Sequence, residues 1–187
     1  AVGAIAMQAV RRAQVALGES VAVIGLGLMG QIATKMLQCS GARVIGFDIN
    51  EGRAAKARKM GIDEAFDDIS EFKSAVDSFT NHMDVDVCLI AASTEEKDIL
   101  QTATEITRKK GRIVVLGLVP MNFGKNPFLM KELDILASIS YGPGRYDEKY
   151  EDKGCDYPYP YVRWTEKRNM EEYLRLLSEK KIEISLI

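Results

Sequence analysis

The amino-acid sequence predicts an α/β fold with a doubly wound parallel sheet. Apolar runs of strand length are bounded by turn residues, and they alternate with helical stretches of about ten or more residues. Strands this apolar need cover on both faces, as in a parallel sheet between two helical layers. At 187 residues the chain also suits one sizeable domain that buries a core without disulfides or metal.

Each element follows in turn. Residues 4–17, "AIAMQAVRRAQVAL", read as an amphipathic lead-in helix ended by Gly18. The strand "SVAVIG" passes through a glycine-rich turn into the helix "LMGQIATKMLQCSG". A second strand, "ARVIGFD", leads to "NEGRAAKARKMG", a helix of good formers closing on Gly61. "DEAFD" is a short strand, followed by the helical "ISEFKSAVDSF". "VDVCLIAA" is a buried strand, and "STEEKDILQTATEITRKKG" a helix capped by Ser93 or Thr94. "RIVVLG" is the fifth strand, "PMNFGKNPFLMKEL" a loop with one short helix, and "DILASISYG" the sixth strand.

The remainder is less regular. Residues 141–165 form a long loop holding six of the seven Tyr and Trp164, the sole Trp. A loop of that length inside a compact domain is often functional, yet aromatics with polar tips also cover apolar surface well. "EKRNMEEYLRLLSEKK" is a final helix, and "IEISLI" reads as a strand. The expected division is therefore a lead-in helix over 1–18, sheet and helices over 19–140, the aromatic loop over 141–165, and a helix and strand over 166–187. The start inside a helix and the apolar end at Ile187 suggest a piece of a larger enzyme.

Composition narrows the function. Lys plus Arg number 25 against 27 for Asp plus Glu, a net charge of -2 that gives no basic footprint for nucleic acid. No apolar run approaches the roughly 18 residues of a membrane span, and the N-terminus lacks a signal-peptide charge order. Cys39, Cys88 and Cys155 are odd in number and widely spaced, so they read as reduced thiols of a cytoplasmic protein. Cys39 and Cys88 are expected as small core residues and Cys155 as an exposed one.

Gly25, Gly27 and Gly30 form a G-x-G-x-x-G between a strand and a helix. In that setting the first glycine permits the turn, the second lets backbone approach a pyrophosphate, and the third lets helix pack on strand. Free N–H groups at the helix N-terminus favour an anion there. Asp48 ends the next strand, 18 residues beyond Gly30, where a carboxylate can accept both adenine-ribose hydroxyls and repel a 2′-phosphate. The pattern favours NAD over NADP. A tight turn without ligand, with Asp48 as a solvated strand end, is the alternative. Arg53 either meets the adenine or a phosphate, which leaves an opening for NADP, or is an exposed helix residue.

Together with "GFDINEGRAAKARKMG", "DVCLIAAST" and "KKGRIVVLGLVP", the stretch "AMQAVRRAQVALGESVAVIGLGLMG" resembles the coenzyme domain of the medium-chain dehydrogenase/reductase family. These are the zinc-type alcohol, sorbitol and threonine dehydrogenases. The resemblance implies a Rossmann fold with six strands in the order 3-2-1-4-5-6. It implies cofactor contacts at Gly25, Leu26, Gly27, Leu28, Met29 and Gly30 for the pyrophosphate, and at Asp48, Ile49 and Arg53 for the adenosine. Ala92 and Ser93 would line the cleft, and Leu116, Gly117 and Leu118 would lie near the nicotinamide. Arg145, with Tyr146, matches an Arg-Tyr pair bordering that cleft in sorbitol-dehydrogenase-like members. The tail from "SISYGPGRYDEKY" to "YVRWTEKRNMEEYLRLL" is similar to bacterial sugar-related oxidoreductases in which a second oxidoreductase half follows.

The departures are as informative. The family's G-H-E motif and its Cys-His-Glu or Cys-His-Asp zinc ligands are missing from this chain. His82, the single histidine, sits in "TNHMD" and reads as a surface residue. No Tyr is followed four positions on by Lys, as short-chain dehydrogenases need, and no G-x-x-x-x-G-K-[ST] is present. The expectation is the NAD-binding half of a zinc-type dehydrogenase acting on an alcohol or polyol, with zinc held outside this chain and no catalytic or metal-binding residue within it. A homodimer is expected through the sixth-strand edge. A non-catalytic NAD(H)-sensing regulatory module is the alternative.

Overall fold

The computed structural model describes residues 1–186. Its strands are β1 (Ser20–Ile24), β2 (Arg43–Phe47), β3 (Glu64–Phe66), β4 (Val85–Ile90), β5 (Thr107–Val115) and β6 (Asp134–Ala137). They form a parallel sheet in the order β3-β2-β1-β4-β5-β6, the predicted order. The helices are α1 (Val2–Ala13), α2 (Leu28–Cys39), α3 (Glu51–Lys59), α4 (Ile69–Phe79), α5 (Ile99–Ile106), α6 (Lys125–Lys131), α7 (Glu148–Glu151) and α8 (Glu166–Ser178). None among the described residues is long and apolar enough to cross a membrane.

The continuous apolar runs of β1 and β4 serve two cores at once, because successive side chains point to opposite faces. Val21, Val23, Val87 and Leu89 pack towards α1, α2, α3 and α8. Ala22, Ile24, Cys88 and Ile90 pack towards α4 and α5. Phe72 of α4 is fully buried on the second face, its ring 5.4 Å from that of Phe47. Helix starts are set locally: the side chains of Asn50, Asp68 and Thr165 accept from the first-turn amides of α3, α4 and α8.

Several boundaries differ from the sequence expectation. α1 ends at Ala13, where Gln14 turns left-handed and its N–H bonds to the Arg11 carbonyl. α5 begins at Ile99, and the two expected caps are bound elsewhere: Ser93 Oγ accepts from the Leu118 amide and Thr94 Oγ1 from the Glu96 amide. It stops at Ile106, because Thr107 pairs with Val85 and starts β5 five residues before Arg112. The ladder then slips, Arg112 pairing with Val87, and Lys110 (φ 59) lies in the bulge. Lys131 Nζ reaches the carbonyls of Glu105 and Thr107 at this junction. β6 ends at Ala137, short of the predicted residue 142.

The aromatic loop carries α7, and its rings pack among themselves and on the helices. Tyr150 stacks on Tyr157 at 5.4 Å and donates to Thr165 Oγ1, while Trp164 lies under Arg11 of α1. Residues Ile184–Leu186 form a 3-10 turn in place of the expected terminal strand, and Ile187 lies outside the described residues. Cys88 is buried, which pushes its thiol pKa up. Cys39 ends α2 exposed, against expectation, and Cys155 is exposed as expected.

Asp86 ties the β4–β5 slip to β1. Its Oδ2 accepts from the Ser20 amide (2.8 Å) and hydroxyl (3.0 Å), and its Oδ1 from Arg108 Nε (2.7 Å). Burial raises the carboxyl pKa, but the bonds from Arg108 and Ser20 outweigh it and hold the group below its usual 3.8. A carboxylate depressed in the folded state contributes stability above the unfolded-state pKa and loses it as pH falls through the folded one. Urea unfolding from neutral pH to pH ~3 should therefore show a smaller acid-driven loss in Asp86→Asn than in the natural chain, from a lower stability at neutral pH.

Candidate functional site

The C-terminal ends of β1, β2, β4 and β5 meet where the chain, having run β1-β2-β3 in one direction, crosses back to β4. Parallel sheets open a crevice at such a reversal. The chain leaves β1 through Gly25, whose φ of +97° suits glycine and whose N–H donates to the Phe47 carbonyl at 2.7 Å. A Cβ there would lie 2.6 Å from the Ala92 amide nitrogen. At Gly30 it would lie 1.8 Å from the Gly25 carbonyl oxygen, and at Gly117 1.8 Å from the Ala92 carbonyl oxygen. The chain's own packing thus demands glycine at all three positions.

Gly27 is different. A Cβ built on it meets nothing within 4 Å, so no internal contact requires glycine there. It is the N-cap of α2 and makes no side-chain cap. The first helical bond runs from Gln31 N–H to the Gly27 carbonyl, which leaves the amides of Leu28, Met29 and Gly30 at the open helix end. That end carries partial positive charge and is suited to an anion. Met29 packs against the core and Leu28 is exposed.

Asp48 stands beside this opening at the end of β2. Its Oδ2 accepts from the Leu26 amide at 2.8 Å and its Oδ1 from the Asn50 amide at 2.9 Å, so the carboxylate is locked to the glycine loop. It is only 5% exposed, and those charge-assisted bonds offset the desolvation of its charge. A carboxylate has about four lone-pair sites, so acceptor capacity remains for a pair of hydroxyls. Arg53 Nη1 lies 3.6 Å from Asp48 Oδ2, and its guanidinium is largely exposed. Ile49 is 80% exposed at the rim.

On the other side, Ala92 and Ser93 follow β4 and abut Gly117 and Leu118 after β5 through the contacts given above. The Leu116 and Gly117 amides both donate to the Ile90 carbonyl, at 2.9 and 3.0 Å. Leu116 packs on the core, whereas Leu118 is 81% exposed. The structure therefore brings all but one of the predicted positions to four adjacent strand ends. Arg145 makes its contacts within the aromatic loop, pairing with Glu151 and lying against Tyr141 and Tyr146. Its hydrogen bond to Glu151 holds the guanidinium pKa above its usual value.

Two residues of the site escape motif reading. Gln31 Nε2 donates to the Leu26 carbonyl at 2.6 Å and braces the loop from below. Its only signal is a polar residue on a buried helix face. Asn50 supplies an amide to Asp48 and caps α3, and its position ahead of the helical run "EGRAAKARK" is a legible cap signal.

The open backbone at Gly27, the free amides and Asp48 fit a dinucleotide. The family's zinc is another matter. Among the described residues no group of three or more His, Cys, Asp or Glu is placed to hold a metal ion. His82 is exposed and pairs through Nδ1 with Asp77 Oδ2 at 2.7 Å. Among the described residues the side chains make no seat for the metal.

Known proteins bear on these features. A 2-dehydro-3-deoxy-L-galactonate 5-dehydrogenase from Pseudoalteromonas atlantica is 25% identical over 147 residues, covering 76% of this chain and 42% of that protein. A sorbitol dehydrogenase from Halalkalibacterium halodurans is 27% identical, covering 74% of this chain and 42% of its own length. The chain thus spans less than half the length of these curated relatives. Among solved structures, an alcohol dehydrogenase from a Thermus species superimposes with a TM-score of 0.65 at 25% identity, covering 75% of this chain and 41% of that one. Residues 29–152 match the family model described as zinc-binding dehydrogenase, and the chain belongs to that family.

Proposed function

We propose that this chain is the NAD(H)-binding part of a dehydrogenase that passes a hydride between the nicotinamide and an alcohol or polyol carbon. The observation that carries the reading is Gly27: a glycine that the protein's own packing does not require, at an uncapped helix end beside Asp48. In this reading the Leu28, Met29 and Gly30 amides take the pyrophosphate, Asp48 takes the adenosine ribose, and Ile49 and Arg53 flank the adenine. Ala92, Ser93, Leu116, Gly117 and Leu118 hold the nicotinamide side. The cofactor would accept or return the hydride, and the chain would position it. The zinc that would polarise the substrate oxygen lies in another part of the protein. The names of the relatives support an alcohol, polyol or sugar-like substrate. A cytoplasmic setting suits three unpaired cysteines.

The glycines separate fold from function in one experiment. Gly30→Ala should lose stability by about 1–3 kcal/mol or more, from overpacking against the Gly25 carbonyl. Gly27→Ala should unfold within about 0.5 kcal/mol of the natural chain, yet bind NADH at least roughly tenfold more weakly, since a methyl group would occupy the pyrophosphate approach. Calorimetry and urea unfolding on both variants check this. Unchanged NADH affinity in Gly27→Ala defeats the reading.

Cofactor choice turns on Asp48 and Arg53. NADH should bind the natural chain more tightly than NADPH. Asp48→Asn keeps an acceptor for the Leu26 amide but removes the charge, leaving Arg53 free to meet a 2′-phosphate. The NADPH/NADH preference should then shift towards NADPH by roughly tenfold, about 1.4 kcal/mol. Equal binding of the two cofactors by the natural chain, measured by calorimetry, would be contrary evidence.

A homodimer through the β6 edge is part of the same proposal. β6 has one neighbour, and Met130 and Ile139 near it are 73% and 72% exposed. An apolar edge of this kind favours pairing with a second copy. Sedimentation should give a dimer at micromolar concentration; a clean monomer argues against it.

A further inference from the structure

At the far end of α2, the crevice between α1, α2 and α8 opens as two adjoining cavities of about 260 and 160 Å³. Val10, Arg11 and Ser40 line both. Gln14, Val15 and Trp164 complete the larger one, and Glu172 and Arg175 bound the smaller. Ser40 follows the last residue of a 12-residue helix, so the crevice lies about 18 Å from Gly27.

Arg11 is the feature that calls for a ligand. Its Nε donates to Asn169 Oδ1 at 2.8 Å, and its guanidinium carbon lies 3.2 Å from the centre of the Trp164 ring. Arg163 lies 3.8 Å from the same ring centre, so a second cation is near. Glu172 is the nearby carboxylate, but both its oxygens are taken by Arg175, at 2.6 and 2.9 Å. Among the described residues Arg11 forms no ion pair. Burial lowers its pKa to about 10, opposed by attraction from Glu172 and helped by repulsion from Arg163. A half-buried cation with no ion pair among the described residues is stabilised by an anion that reaches it.

We propose that this crevice binds a small organic carboxylate, its oxygens on the Arg11 fork and its apolar body along Val10, Val15 and Trp164. The planar guanidinium matches a carboxylate in two-point geometry. Gln14 also lines the larger cavity. Each cavity falls below the roughly 300–1,000 Å³ of drug-sized ligand sites, which suits a short acid. Val10, Val15 and Trp164 offer contact to the carbon body of an organic acid, which inorganic phosphate lacks.

Trp164 is the sole tryptophan, so its fluorescence reports on this crevice directly. The 187-residue chain is titrated with butyrate at constant ionic strength, with calorimetry alongside. A saturable one-to-one change is expected, abolished in Arg11→Met and weakened at least roughly tenfold in Arg11→Lys, which keeps the charge but loses the fork. Inorganic phosphate in place of butyrate should give no saturable response. No saturable signal from the natural chain by either method overturns the proposal, as does unchanged binding in Arg11→Met with a native circular-dichroism spectrum. If Arg11→Met does not fold, Arg11→Lys decides: butyrate affinity equal to the natural chain's overturns it. Phosphate binding as tightly as butyrate overturns the assignment to an organic acid.

Discussion

The whole strand-end region depends on backbone meeting backbone without side chains between. Gly30 presses its Cα towards the Gly25 carbonyl, Gly25 lies against the Ala91–Ala92 peptide, and Gly117 lies against the Ala92 carbonyl. These contacts draw the ends of β1, β4 and β5 closer than any residue with a Cβ permits. α2 can therefore start directly above the sheet, with its first amides facing the crevice. Local glycine chemistry thus sets the height of the helix, and the helix sets where an anion can sit.

Asp48 extends that constraint to β2. By accepting from the Leu26 amide it binds the second strand end to the turn after the first, and by accepting from Asn50 it fixes the start of α3. The same carboxylate thereby holds the loop's shape and presents its remaining lone pairs to the crevice. Gln31 acts from the opposite side on the Leu26 carbonyl, so the peptide around Leu26 is gripped at both polar groups. A loop held this way loses little further freedom when something binds to it.

How much of this was legible follows from where each signal originates. β1 and β4 were legible because burial on both faces leaves an unbroken apolar run, and the glycine turn because its spacing is local. The α5–β5 boundary was not. "TRKKG" has the look of an exposed helix end, but Thr107 pairs with Val85 and Lys131, distant in sequence, reaches the freed carbonyls. The start of α5 was not legible either, since the Ser93 hydroxyl accepts from the distant Leu118 amide and the Thr94 hydroxyl from Glu96. The predicted site positions on the strand ends came together because the fold's topology converges there. Arg145 was read from a local Arg-Tyr pair, and its partner Glu151 belongs to a loop whose packing no periodicity encodes.

The two duties of Asp48 constrain how cofactor preference can change. Removing the side chain deletes the charge facing a 2′-phosphate, but it also strands the Leu26 amide in a buried position, at a cost of about 1–3 kcal/mol. The loop would then relax, and the helix-end amides would move with it. Weaker NADH binding in such a variant would mix lost recognition with lost shape. Asparagine separates the two, because its carbonyl oxygen still accepts from Leu26 while its charge is gone. Arg53 is already within 3.6 Å, so the positive partner that a 2′-phosphate needs is in place before any substitution. If the chain takes NAD(H) as proposed, discrimination against that phosphate rests on the Asp48 charge.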